Sequence, residues 1–163
     1  MFEDFEEVYA EQLGPVWRFV RARIPQHADA EDVTSEVFTR AARGWDRYDA
    51  RRGSIAAWVL GIARHVVADW WRGRPPEVSW DGIDLPAAPE SNPDAVVLGA
   101  ESRAELRSQL WRLTPKERDA VALRFHAGLR AVEVGSVLGI SETAARMLVY
   151  RAVAKLRSVM TDD

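Results

Sequence analysis

Residues 130–151 read RAVEVGSVLGISETAARMLVYR, and their small residues and apolar spacing fit a helix-turn-helix. Gly135 falls where two helices must approach closely, and Gly139 where the chain must turn at positive φ. Ile140, Ala145 and Val149 supply the apolar groups that close the angle between the helices. Ser141 is a good N-cap for the second helix. That helix carries Thr143, Arg146, Met147 and Tyr150 along one outward face, side chains suited to a DNA major groove. The competing reading of the stretch is a helical hairpin packed in a core. DNA is therefore the first partner to consider.

The rest of the chain narrows the classes open to it. Its 163 residues suffice for one ordinary domain or two small helical ones. There is no cysteine, which excludes disulfides, thiolate zinc sites and a cysteine nucleophile. His27, His65 and His126 are scattered, with no second ligand type at a metal-binding spacing, so no metal site is expected. No basic-then-apolar leader opens the sequence and no apolar run approaches a membrane span; a soluble cytoplasmic protein is the expectation. The net charge of −3 resolves into blocks of −5 over residues 1–50, +4 over 51–74, −5 over 75–100 and +3 over 101–163. Such alternation lets separate surfaces face phosphate and protein, and implies that a protein partner shares the work of binding DNA.

Punctuation divides the chain in two. Residues 73–99 hold five of the eight prolines with little helical periodicity, and read as a linker that permits several arrangements of what it joins. No strand is expected, because β-branched residues recur at helical rather than alternating spacing. Before the linker, Phe5, Val8, Tyr9, Val16, Phe19 and Val20 outline a first helix, with Gly14-Pro15 as the place for a bend and an end near Ile24-Pro25. A second begins at Asp29 as cap, with Asp32 at its third position and a buried stripe of Val33, Val37, Phe38, Ala41 and Ala42. Its remaining face, Glu31, Ser35, Glu36 and Arg40, is mostly acidic, and reads either as solvated or as a surface for protein rather than DNA. After the linker, Thr114-Pro115-Lys116-Glu117 is a helix start, with threonine as cap, proline first and glutamate third.

A third helix is predicted from about Ser54 to Arg72. Ile55, Trp58, Val59, Ile62, Ala63, Val66, Val67 and Trp70 form a nearly complete amphipathic series, which makes Trp58 and Trp70 core residues. Trp71 falls on the opposite side with Arg64, Ala68 and Arg72. It is suited to stacking on bases beside cations, or to packing against the linker or another domain. Ahead of this helix lies WDRYDARRGS, residues 45–54, a loop of aromatic, carboxylate, arginine and glycine residues such as read single-stranded bases.

Four stretches together resemble the bacterial RNA polymerase sigma factors of the extracytoplasmic-function group, in the family's order and over nearly the whole chain. They are DAEDVTSEVFTRA (29–41), WDRYDARRGSIAAWVLGIARHVVADWWR (45–72), LTPKERDAVALRF (113–125), and the helix-turn-helix with its tail VYRAVAKLR (149–157). The resemblance implies an all-α fold of two small helical domains: a region 2-like domain at 1–72, an acidic Pro-rich linker at 73–100, and a region 4-like helix-turn-helix domain at 101–163. It implies a transcription initiation factor that binds core RNA polymerase, directs it to promoters and helps melt the minus-10 region.

Carried over by position, Asp29, Glu31, Asp32, Ser35, Glu36 and Arg40 would meet the polymerase. Arg47, Tyr48, Asp49, Arg51, Arg52 and Ser54 would receive an unstacked minus-10 base, with Arg64, Trp71 and Arg72 holding the melted strand. Ser141, Glu142, Thr143, Arg146, Met147, Tyr150, Arg151 and Lys155 would serve the minus-35 element. The linker would thread toward the active-centre channel. An anti-sigma factor is a further implied partner; a cofactor, a membrane contact and a catalytic residue are not. Two positions depart from the family pattern: Leu148 stands where many relatives carry a basic residue, and Gly135 replaces a usual alanine.

Promoter opening exchanges unstacking energy for stacking and pocket contacts, without covalent chemistry. Two alternatives explain less. A stand-alone helix-turn-helix regulator leaves residues 45–72 without a use. A helical enzyme built on Asp29, Glu31, Asp32 and Glu36 lacks the second helix of ligands such sites need.

Overall fold

The computed structural model describes residues 4–74 and 112–160, and all regular structure among them is helical. From Gly73 to Arg74 the linker is within this range; the rest of it, and residues 101–111 after it, lie outside the described residues. Three helices precede the linker: α1 (Phe5–Arg23), α2 (His27–Arg43) and α3 (Ile55–Arg72), with a 3-10 turn at Trp45–Arg47. After it come α4 (Pro115–Val121), a π-helical turn (Ala122–His126), α5 (Ala131–Leu138) and α6 (Glu142–Met160).

Caps set most of these boundaries. Asp4 starts α1 by accepting from Glu7 N at 3.1 Å, and α1 runs unbroken through Pro15. Ser54 caps α3 by accepting from Ala57 N at 3.1 Å. Thr114 and Glu117 form the expected capping box, each side chain bonded to the other's backbone N–H, with Pro115 first in α4. α2 differs from its sequence reading. It begins at His27 behind Gln26, which makes no side-chain cap bond, so Asp29 lies in the first turn, where it favours the positive end of the helix dipole without capping it.

α1, α2 and α3 pack against one another as a bundle. Val16, Phe19, Val20, Val33, Val37, Phe38, Val59 and Val67 are its buried centre, each worth roughly 1.5–3 kcal/mol if fully withdrawn from water. The α3 interior is wider than the amphipathic series predicts. Ala57 and Leu60 are buried with it, whereas Trp58 and Trp70 are only half-buried. The reason is that α3 is contacted by α1, by α2 and, from the second part of the chain, by α5. On α2 the stripe is shifted around the helix: Ala30 and Thr34 are buried with it and Ala42 is exposed.

The two parts share one apolar core. The cluster that holds Phe19 and Val59 continues through Leu123, Val134, Leu138 and Ala145, and the π-helical turn packs on α1. α5 and α6 form the helix-turn-helix. Gly139 joins them at φ 71°, ψ 33°, and Ile140 N returns to Gly135 O at 2.9 Å. A Cβ at Gly135 would lie 2.7 Å from Ile140 O and 3.1 Å from Ser141 O, so the glycine is what permits this approach. Ser141 caps α6, its hydroxyl accepting from Ala144 N at 3.1 Å.

Candidate nucleic-acid interface

The loop between α2 and α3 is built on three aromatic rings. Trp45 stacks on Tyr48 with ring centres 5.6 Å apart and planes 8° from parallel, and Tyr48 leans on Trp58 at 5.2 Å. The Tyr48 hydroxyl donates to Gly53 O at 2.9 Å and closes the loop on itself. Burial pushes its phenol pKa up, with Asp49 adding to the effect. Asp49 accepts from Arg51 N at 3.0 Å and from Arg51 Nε at 3.1 Å, and these bonds hold its carboxyl below the usual carboxylate range. Arg47, Arg51 and Arg52 remain exposed around the loop. A cleft of about 370 Å³ opens here between Arg47, Tyr48, Arg52 and Trp58, with Ser136 and Val137 of α5 across from them.

The three further residues expected to hold a strand are not equally available. Arg64 Nε donates to Asp119 Oδ2 at 3.1 Å, in the second part of the chain. Trp71 is half-buried, its indole N–H donating to Arg23 O at 3.0 Å while its ring meets Trp70 edge-on at 4.9 Å. Arg72 is exposed and ion-paired with Asp69. Arg64 and Trp71 thus face other protein, whereas Arg47, Arg51, Arg52 and Arg72 face water.

α2 presents Asp32 and Ser35 as exposed, Glu36 as half-buried and Asp29 as half-buried in the first turn. Glu31 pairs with His27 at 2.8 Å, and Arg40 donates to Glu36 at 2.9 Å and to Asp69 at 3.4 Å. The face is therefore a lattice of exposed ion pairs, loosely held and open to exchange.

α6 keeps its predicted outward residues outward. Glu142, Thr143, Arg146, Met147, Tyr150 and Arg151 are exposed, with Tyr150 70% accessible. Arg146 donates to Glu142 at 2.6 Å. Ser141 serves as the cap. Leu148 is half-buried against the core, so it packs rather than standing outward with its neighbours. Lys155 turns back to Glu117 at 2.7 Å, and that bond, with those from Thr114, brings Glu117 below its ordinary pKa although burial alone would raise it.

Asp119 and Glu133 escaped the sequence reading. Asp119 accepts from Arg23 Nε at 2.8 Å as well as from Arg64, and Glu133 Oε2 accepts from Ser54 Oγ at 2.7 Å. The available signal was an aspartate directly before the buried run Ala120 to Leu123, where a lone charge demands a partner. Among the described residues no group of three or more His, Asp or Glu is arranged to hold a metal ion, and no helix is long and apolar enough to cross a membrane.

Both parts of the chain match known families. Residues 8–75 match the family described as Sigma-70 region 2, and residues 110–158 the family described as Sigma-70, region 4. The ECF RNA polymerase sigma factor BldN of Streptomyces coelicolor is 34% identical over 98% of the chain, which spans 61% of that relative's length. The probable RNA polymerase sigma-C factor of Mycobacterium bovis is 34% identical over 84% of the chain and 72% of its own length. The solved structure of the sigma factor RpoE in complex with the anti-sigma factor NepR from Bartonella quintana aligns with a TM-score of 0.71 at 21% identity, covering 99% of each chain; at that identity the likeness is one of fold.

Proposed function

This chain belongs to the ECF RNA polymerase sigma factors, and from that membership we propose that it carries core RNA polymerase to promoters and helps open them at the minus-10 element. The observation that carries the reading is the pair of family matches, at 8–75 and 110–158, in one chain and in that order. A regulator acting alone on duplex DNA would have no use for the first of them.

In this reading α2 meets the polymerase through Asp29, Glu31, Asp32, Ser35, Glu36 and Arg40. Its ion pairs are exposed, so a partner can replace them at small cost. The loop from Arg47 to Ser54 takes an unstacked minus-10 base beside Tyr48 and Trp58, and Arg64 and Arg72 hold strand phosphates. Trp71 supports this face from below, through its bond to Arg23. α6 enters the major groove of the minus-35 element with Glu142, Thr143, Arg146, Met147, Tyr150 and Arg151; Lys155 stands by for phosphate, and Ser141 acts through the cap. The domain bounds are 1–72 and 101–163, with the acidic linker leading toward the active centre. An anti-sigma protein is the expected inhibitor, and the cytoplasm the place of action. The chain performs no covalent chemistry.

Reconstitution tests this directly. Purified chain added to core polymerase should give transcription from a subset of a promoter library, and core polymerase alone should not. If duplex DNA is shifted by the chain without polymerase and no transcript appears with it, the reading is wrong.

A further inference from the structure

Where the second part of the chain closes on the first, α3 and α4 leave a cleft of about 670 Å³ between them. Five cations line it: Arg23 from α1, Arg64 and Arg72 from α3, and Lys116 and Arg118 from α4. Asp119 is the one carboxylate among the described lining residues, and it is already shared by Arg23 Nε at 2.8 Å and Arg64 Nε at 3.1 Å. Arg72 is paired with Asp69, and Lys116 is exposed and makes no ion pair among the described residues. Burial holds the pKa of Arg118 below that of an ordinary guanidinium, and the charge of Arg23 lowers it further. Positive charges gathered in a recess are costly to keep there unless an anion meets them.

The same cleft has an apolar side. Val67, Ala68, Trp71 and Pro115 line it, and the indole of Trp71 is fixed by its N–H bond to Arg23 O at 3.0 Å. Guanidinium groups take phosphate oxygens in pairs, and an indole offers a flat surface to a heteroaromatic ring. The volume falls within the range of small-molecule sites, and the walls come from both parts of the chain, which suits a compact ligand rather than a continuous strand.

We propose that this cleft binds a nucleoside polyphosphate, with its phosphates on Arg64, Arg72, Lys116 and Arg118 and its base against Trp71. Such a ligand supplies the negative charge that Asp119 alone does not, and it bridges the two parts of the chain across the closed contact. Arg64 and Arg72 are shared with the strand assigned above, whereas Lys116 and Arg118 belong to this cleft alone.

The test titrates ATP, GTP and inorganic tripolyphosphate into the full chain by calorimetry, at matched ionic strength. ATP or GTP should fill a single saturable site at least about fivefold more tightly than tripolyphosphate, which carries the charge without the ring. Lys116→Glu should weaken that binding about tenfold or more. Arg43→Glu, an equal change of charge at the exposed end of α2, should alter it by less than about twofold. The wild-type chain should also melt at a higher temperature with the nucleotide than without it, a readout that needs no variant. Absence of saturable binding overturns the proposal, and so does an equal loss in the two variants, which would reduce the effect to net charge. Tripolyphosphate binding as tightly as both nucleotides also overturns it, because the ring then has no place in the cleft. Tighter binding of a short single-stranded DNA, weakened in the same way by Lys116→Glu, would give the cleft to the strand and overturn the nucleotide.

Discussion

The α3 face and the α6 face both offer arginines, yet they hold them on different terms. Arg146 on α6 is paired with Glu142 one turn away, and both side chains are largely open to water. Arg64 on α3 is paired with Asp119 from another part of the chain, in a cluster where Arg23 and Asp119 are about nine-tenths buried. An exposed pair of the first kind is worth about 0.2–1 kcal/mol, so DNA can displace it freely. A buried one is exchanged only when the packing around it moves. Two surfaces of similar composition therefore differ in availability: one depends on a side-chain rotamer, the other on the position of three helices.

The largest effect should come from the buried cluster. Asp119→Ala leaves Arg23 in the interior with no carboxylate, and is expected to cost about 3–5 kcal/mol of stability. Glu142→Ala on α6 should cost less than about 1 kcal/mol. Urea unfolding of both variants checks the contrast. If the two midpoints shift alike, the Arg23–Asp119–Arg64 cluster is no more than a surface network, and the distinction between the two faces collapses.

The next effect is read in binding. Arg146 stands exposed, its guanidinium paired with Glu142 one turn away. Arg146→Ala should lower discrimination at the upstream element by roughly 1–3 kcal/mol if the side chain reads a guanine edge. Affinity measured over a set of upstream duplexes separates the roles, because equal loss on every sequence would make Arg146 a phosphate contact. A smaller effect is expected at Gly135. Gly135→Ala gains up to about 1 kcal/mol of helix propensity but brings a Cβ to 2.7 Å from backbone that must shift. Overpacking of this kind costs about 1–3 kcal/mol, so a net loss of about 1 kcal/mol is expected by denaturation. A gain in stability would show that the turn between α5 and α6 yields, and that Gly135 serves no packing purpose there.

What the sequence made legible follows the same division. The helix-turn-helix was readable because its determinants are local: Gly139 at positive φ, Ser141 as cap, Ala145 inward and Tyr150 outward all depend on residues within a few turns. The Thr114 capping box and the start of α3 near Ser54 were readable for the same reason. Leu60, Trp71 and Asp119 were not. Their environments come from elements far away in the chain: Leu60 is buried on an α3 that three helices contact, Trp71 donates to the end of α1, and Asp119 is paired across the whole linker. The start of α2 was misplaced by three residues because an aspartate in the first turn and an aspartate at the cap carry the same dipole preference. Periodicity reports which face of a helix is apolar, and is silent on how many neighbours cover the others.

The smallest expected effect is a pH dependence confined to the closed contact. His126 ends the π-helical turn that packs on α1, its backbone carbonyl accepts from Arg18 Nε at 2.8 Å, and its Nδ1 is buried without a hydrogen-bond partner. Burial lowers its pKa, and the nearby Arg18 charge lowers it further. Folding thus weakens the imidazole's hold on a proton, so the unfolded chain binds more protons once the pH falls below about 6.5, the ordinary value for histidine. The stability that a neutral His126 contributes should be complete above that pH and decline progressively beneath it, toward the lowered value in the folded chain. Thermal melts from pH 7.5 to about 5.5 should therefore show a larger drop for the wild type than for His126→Gln, which has no proton to gain. Parallel curves for the two proteins would remove His126 from the closed contact's energetics, and leave the Arg23–Asp119–Arg64 cluster and the apolar core to hold it.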